Sequence, residues 1–168
     1  ARYGPEVRPF GWMPLLHLAI AQFRPRKGDL PGNLRRVGEV LAQAAALDPR
    51  PDVVQFPETT LSGYFVEGAV REMAMGAADA AAGVAAAYHA AAPGAPPIDV
   101  IIGFYETFDG NLHNSVMYTR VGGEGEHGTA VVKHVHRKNF LPTYGLFDEE
   151  RFVERGYGVR SFETSWGR

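Results

Sequence analysis

Two charged residues stand at matching places in this chain. Glu58 follows the buried-strand pattern "DVVQF", residues 52–56, after a single proline, and Lys138 follows the strand-like run 129–136. In open α/β sheets the loops past strand carboxyl ends gather into a ligand crevice. If the two strands are parallel neighbours, a carboxylate and an ammonium meet there, and the pair has two readings. One is a structural ion pair. The other is chemistry: a glutamate that accepts a proton from a nucleophile, and a lysine that stabilises negative charge developing on a substrate oxygen. The residues alone leave both open. The chain holds three lysines against fourteen arginines, so a general need for positive charge is met by arginine and a lysine here is mildly informative.

The elements that must position these groups follow from pattern. Residues 1–14 read as an irregular tail, and 15–168 as one folding unit. "LLHLAIAQ", 15–22, reads as a mostly buried strand. Leu34, Val37, Leu41 and Ala44 fall at helical spacing, which predicts a helix over 34–47. Residues 66–92 are rich in alanine, glutamate and methionine and predict helix, broken near Gly76 or Gly83. "DVIIGFYET", 99–107, and "LHNSVMYTR", 112–120, predict strands joined as a hairpin at "DGN". "TAVVKHVHRK", 129–138, predicts the next strand after a hairpin tip at "GGEGEHG". Residues 139–156 predict a long loop with one helical turn, and "GVRSFET" the start of a further strand. The order β-α-β-α-β followed by a meander predicts an α/β protein with helices packed on one face of a mixed sheet.

Composition excludes several classes. Hydrophobic residues make up 45%, charged residues 21%, and the formal net charge is −2. A broad basic face for nucleic acid is therefore not expected. No window approaches the roughly 18–20 apolar residues of a membrane span, and the first residues carry no secretory pattern, so a cytoplasmic location is the expectation. There is no cysteine. That rules out disulfides, cysteine metal sites and a cysteine nucleophile within these 168 residues. His134 and His136 share one strand face, with His113 and His127 near in sequence. No carboxylate sits at a recognised ligand spacing, and no metal site is expected. "GGEGEHG" lacks the strand–loop–helix setting and the Gly-Lys-Ser/Thr element of a phosphate loop.

Four stretches together resemble one family. "AIAQFRPRKGDLPGNLRRV" is similar to the opening strand and helix of the nitrilase superfamily, the carbon–nitrogen hydrolases. "VVQFPETTLSGYF" resembles its glutamate motif, "IIGFYETFDGNLHNSVMYTR" its central hairpin, and "VHRKNFLPTYGLFDEERF" its lysine motif. They occur in the family's order over about residues 15–155. The resemblance implies a Glu-Lys-Cys triad, with Glu58 as general base and Lys138 as the oxyanion-stabilising group. It implies that Glu149, in "FDEE", positions substrate or lysine, and that Tyr64 lies beside the base in a substrate pocket. From the residues alone, Glu149 reads equally as a solvated helix-start carboxylate, and Tyr64 as a core-loop tyrosine.

The implied fold is a four-layer α-β-β-α sandwich, of which this chain supplies roughly the N-terminal half to two-thirds, leaving an apolar sheet face uncovered. The implied reaction is hydrolysis of a small amide through a thioester, with no cofactor, in a homodimer or larger homo-oligomer. "LPTYGLFDEERF" resembles stand-alone amidohydrolases and the glutaminase domains of NAD synthetases, which favours linear amides over nitriles. The family's nucleophile sits in a Cys-x-Asp elbow after the next strand, and "SFETSWGR" falls where that strand would start. The cysteine is therefore expected outside these residues, and the isolated chain is expected to be inactive. The alternative is a non-catalytic relative that acts as a binding or assembly module.

Overall fold

The computed structural model describes residues 15–64, 69–123, 128–144 and 148–167. The expected tail, the start of the helix expected from 66, the tip of "GGEGEHG" with His127, and residues 145–147 of the lysine motif lie outside the described residues. The elements are β1 (Leu18–Ile20), α1 (Leu30–Ala45), β2 (Val53–Gln55), α2 (Val70–Met73), α3 (Ala77–Ala91), β3 (Ile98–Phe108), β4 (Asn111–Val121), β5 (Ala130–Arg137) and a 3-10 turn at Glu149–Arg151. The five strands form one sheet in the order β1-β2-β3-β4-β5. β1, β2 and β3 are parallel, and β4 and β5 each pair antiparallel. β5 therefore runs in the same direction as β2.

The two crossovers, through α1 and α3, advance the strand order the same way. Right-handed connections then place both helices on one face. Val37 and Leu41 of α1 and Val84 and Tyr88 of α3 form one buried cluster with Val54, Val100, Ile102, Phe104, Met117 and Val121 of the sheet. The alanine-rich composition of α3 lets α1 come close. Gly38 of α1 faces the backbone of Ala87, and Gly83, inside α3, has the Leu34 side chain where its own Cβ would point. Gly83 is thus a packing residue and not the break. The break falls at Met75, whose N–H bonds the carbonyl of Tyr105 at 3.2 Å and whose carbonyl accepts from Thr107 at 3.0 Å. A residue paired to β3 in this way is extended and cannot stay helical.

Helix α1 begins four residues before the spacing of its apolar side chains predicts. Asp29 caps it, accepting from the Gly32 N–H at 3.0 Å, with a proline in the first turn. The β3–β4 hairpin closes through Asp109 and Gly110, both at positive φ, as the twist of the two strands requires.

The strand expected to be mostly buried at 15–22 is shorter and half-exposed. Ala19 packs into the core, whereas Leu18 and Ile20 are 46% and 64% exposed. Alternation along a strand sends neighbours to opposite faces, and α1 and α3 cover only one of them; the short α2 packs through Val70 on Tyr105 and Leu112 of the other face. The strand expected from "GVRSFET" does not form. The backbone turns back through a Thr164–Gly167 bridge, and Phe162 stacks on His134 at 4.5 Å and meets Tyr118 edge-on at 5.2 Å. Phe162 lies against the second face of the sheet, away from a strand edge that its backbone could pair with.

Candidate active site

Glu58 and Lys138 leave strands that are not neighbours, because β3 and β4 lie between them. They meet because the chain after β2 crosses over β3. Phe56 N–H still pairs with the Ile101 carbonyl at 2.8 Å, and the backbone from Pro57 to Thr59 then passes over Gly103. A Cβ on Gly103 would lie 2.6 Å from the Thr59 nitrogen and 2.9 Å from the Glu58 Cα. Only glycine leaves room for the crossing. Thr59 takes a left-handed φ of 48°, which is costly for a β-branched residue and marks a turn held by its surroundings. The holding groups are Asn33 of α1, which donates to the Leu61 carbonyl at 3.1 Å, and Thr60, whose hydroxyl donates to the Pro57 carbonyl at 2.6 Å. Gly103→Ala is expected to lower stability by about 1–3 kcal/mol through overpacking. An unchanged midpoint of urea unfolding would contradict this account of the crossing.

The crossing sets Glu58 against Asn114 of β4 and Lys138 past β5. Lys138 Nζ is 2.9 Å from Glu58 Oε1, and 3.2 and 3.0 Å from Glu149 Oε1 and Oε2. Asn114 Nδ2 donates to Glu58 Oε1 at 2.7 Å and lies 3.4 Å from Glu149 Oε1. The Tyr64 hydroxyl donates to Glu149 Oε1. All four residues singled out in the sequence thus lie in one cluster. The backbone fixes the lysine from two sides, with Lys138 N–H on the Asn114 carbonyl at 2.9 Å and Gly156 N–H on the Lys138 carbonyl at 2.8 Å. Immediately before it, Arg137 is locked by Glu106 at 2.7 Å, and Glu106 also accepts from the Ser115 hydroxyl at 2.8 Å. Sequence reasoning missed Asn114 and Gly103. Each carried a signal, since asparagine and glycine are both depleted inside strands, and a strand glycine marks close backbone approach.

Two carboxylates share one ammonium here. Burial works against the charged lysine, but the hydrogen bonds and the charges of Glu58 and Glu149 outweigh it and hold the Lys138 pKa above its ordinary value. At neutral pH Lys138 is therefore a cation and no base. Tyr64 is pushed up by burial, by its bond to Glu149 and by both carboxylate charges, so it stays a donor. Tyr105, beside it, is pushed up to about 12 by burial and then by Glu149 and Glu58. Glu149 is nearly buried, its side chain 9% exposed, whereas Glu58 is 51% exposed. Glu58 and Lys138 face an open cavity of about 460 Å³, walled by Phe56, Gly103, Val116 and Phe140. The cluster has a fixed cation, a half-exposed carboxylate beside it and room for a small ligand.

The model of the carbon-nitrogen hydrolase family matches residues 17–168. This chain belongs to that family. It is 31% identical over 144 residues to the glutamine-dependent NAD(+) synthetase of Thermotoga maritima, an alignment that takes in 86% of this chain and 23% of that protein. The carbon–nitrogen hydrolase fold is also seen in two solved structures. The glutamine-dependent NAD+ synthetase of Acinetobacter baumannii superposes with a TM-score of 0.64 at 27% identity, over 89% of this chain and 26% of the other. A nitrilase-superfamily member of branch 10 from Saccharomyces cerevisiae superposes with a TM-score of 0.63 at 18% identity, over 90% and 52%. This carbon–nitrogen hydrolase chain thus spans about a quarter of the synthetases it matches and about half of the yeast protein. Its mixed sheet, with α1 and α3 on one face, is the α/β arrangement of the nitrilase-like fold. No helix among the described residues is long and apolar enough to cross a membrane.

Proposed function

We propose that the protein carrying this chain hydrolyses the carbon–nitrogen bond of small linear carboxamides. Glu58 is the general base, Lys138 the group that stabilises the oxyanion, and Glu149 with Tyr64 the pair that holds Lys138 and borders the substrate. The nucleophile is a cysteine thiol supplied from outside these residues. The observation that carries the reading is the 2.9 Å approach of a fixed ammonium to a half-exposed carboxylate on the wall of one cavity. A surface ion pair needs neither the strained Thr59 turn nor the glycine crossing that brings these two together.

The steps balance without a metal or an organic cofactor. Glu58 takes the thiol proton as sulfur attacks the carbonyl carbon, a C–S bond forms, and the carbonyl oxygen becomes an oxyanion beside Lys138. Collapse breaks the C–N bond, and Glu58 returns the proton to the departing nitrogen, which leaves as ammonia. Water, deprotonated by Glu58, then attacks the thioester, the C–S bond breaks and the thiol is restored. Linear carboxamides are favoured because two of the similar proteins are named as glutamine-dependent, and the glutamine side chain is such an amide. The test is ammonia release by the full-length protein from glutamine and from short aliphatic amides. Release from either class is expected, and its absence from both would overturn the proposal.

A further inference from the structure

Asn114 belongs to no catalytic role so far described, yet it touches both carboxylates of the cluster. It sits on β4, 3% exposed, and both of its near neighbours, Glu58 Oε1 and Glu149 Oε1, are acceptors. Its amide nitrogen must therefore face them, since its oxygen would repel them. The consequence concerns the two oxygens of Glu58. Oε1 receives two donors, Asn114 Nδ2 at 2.7 Å and Lys138 Nζ at 2.9 Å. Oε2 receives none among the described residues, and Glu58 lines the cavity. A carboxylate pinned by one oxygen offers the other in a fixed direction.

We infer that Asn114 is a positioning residue that anchors Glu58 through Oε1, so that Oε2 is the oxygen that takes the proton from the attacking thiol. This rests on the reading of Glu58 as general base. The charge count explains why a neutral donor stands here. One ammonium serves two carboxylates, and a neutral second donor holds the Glu58 carboxylate in place without adding a cation that would compete with Lys138 for Glu149. Asn114 also ties the lysine to the same strand, because its carbonyl accepts from the Lys138 N–H at 2.9 Å. One residue thereby sets the distance between base and cation.

The experiment measures kcat and KM for ammonia release from glutamine and propionamide by the full-length protein. The forms compared are the wild type, Glu58→Gln, Asn114→Ala and Asn114→Asp, each checked for folding by circular dichroism. Asn114→Ala is expected to lower kcat by about 10–10²-fold, the worth of one hydrogen bond to a charged group. KM should stay within about twofold, so that the loss falls on kcat. Asn114→Asp, which keeps the size but adds a third carboxylate, is expected to lose more than Asn114→Ala. A purely structural role predicts instead that kcat and KM change together in each variant and follow its folding midpoint. Wild-type kcat in folded Asn114→Ala would overturn the inference, and so would wild-type rates in Asn114→Asp. If Asn114→Ala does not fold, Asn114→Asp decides alone. An inactive wild type, or an active Glu58→Gln, marks instead the failure of the general-base reading, and the inference falls with it.

Discussion

Lys138→Ala in the full-length protein is expected to lower kcat for amide hydrolysis by about 10²–10³-fold, the usual cost of one oxyanion-stabilising donor. KM should change little, because the lysine acts on charge that develops only as the carbonyl carbon becomes tetrahedral. The ammonium is suited to this. It is held above its ordinary pKa by Glu58 and Glu149 against the cost of burial, so it is charged throughout the working range. It is also fixed in place by backbone bonds to β4 and to Gly156. Lys138→Arg keeps the charge but spreads it over a planar fork that does not fit between two carboxylates placed for a compact cation. It is expected to recover little of the loss. Rates within about threefold of wild type in Lys138→Ala would remove the lysine from the reaction.

The second large effect is that of Glu58→Gln, expected to lower kcat by about 10²–10⁴-fold through loss of the general base. The substitution is nearly isosteric, and the glutamine oxygen can still accept from Asn114 and Lys138. The Thr59 turn and the Gly103 crossing should therefore survive, and the folding midpoint should stay close to that of the wild type. Activity and stability then separate, which a structural ion pair would not allow. An active Glu58→Gln would leave the pair as a structural contact only.

Much of this arrangement was readable from the residues, and the parts that were not share a cause. The hairpin at Asp109–Gly110 and the strands on either side are local, and local pattern finds them. So does the helix around Val37 and Leu41, although its first turn is set by Asp29 and Pro31 and not by apolar spacing. Their places after two strands bring Glu58 and Lys138 together only if those strands are parallel neighbours; β2 and β5 run in the same direction but are not neighbours. What was hidden is how they meet. Those strands are separated by β3 and β4, and the approach depends on backbone passing over Gly103, a contact between segments far apart in sequence. Asn114 was hidden for the same reason, since its partners Glu58 and Glu149 are 56 and 35 residues away. Leu18 and Ile20 misled in another way. Their apolar character predicts burial, but it does not say which face of the sheet the helices cover. Phe162 likewise reads as a strand residue by type, and its place is set by packing on Tyr118 and His134.

The central claim is that Glu58 and Lys138 flank the place where a thiol attacks an amide carbon. A structure of the full-length protein tests it most directly. The prediction is a cysteine Sγ at the cavity wall, within about 3–3.5 Å of the Glu58 carboxylate and on the side of the carbonyl oxygen's path that faces Lys138. A cavity closed by other side chains, with no cysteine in reach of Glu58, would contradict it.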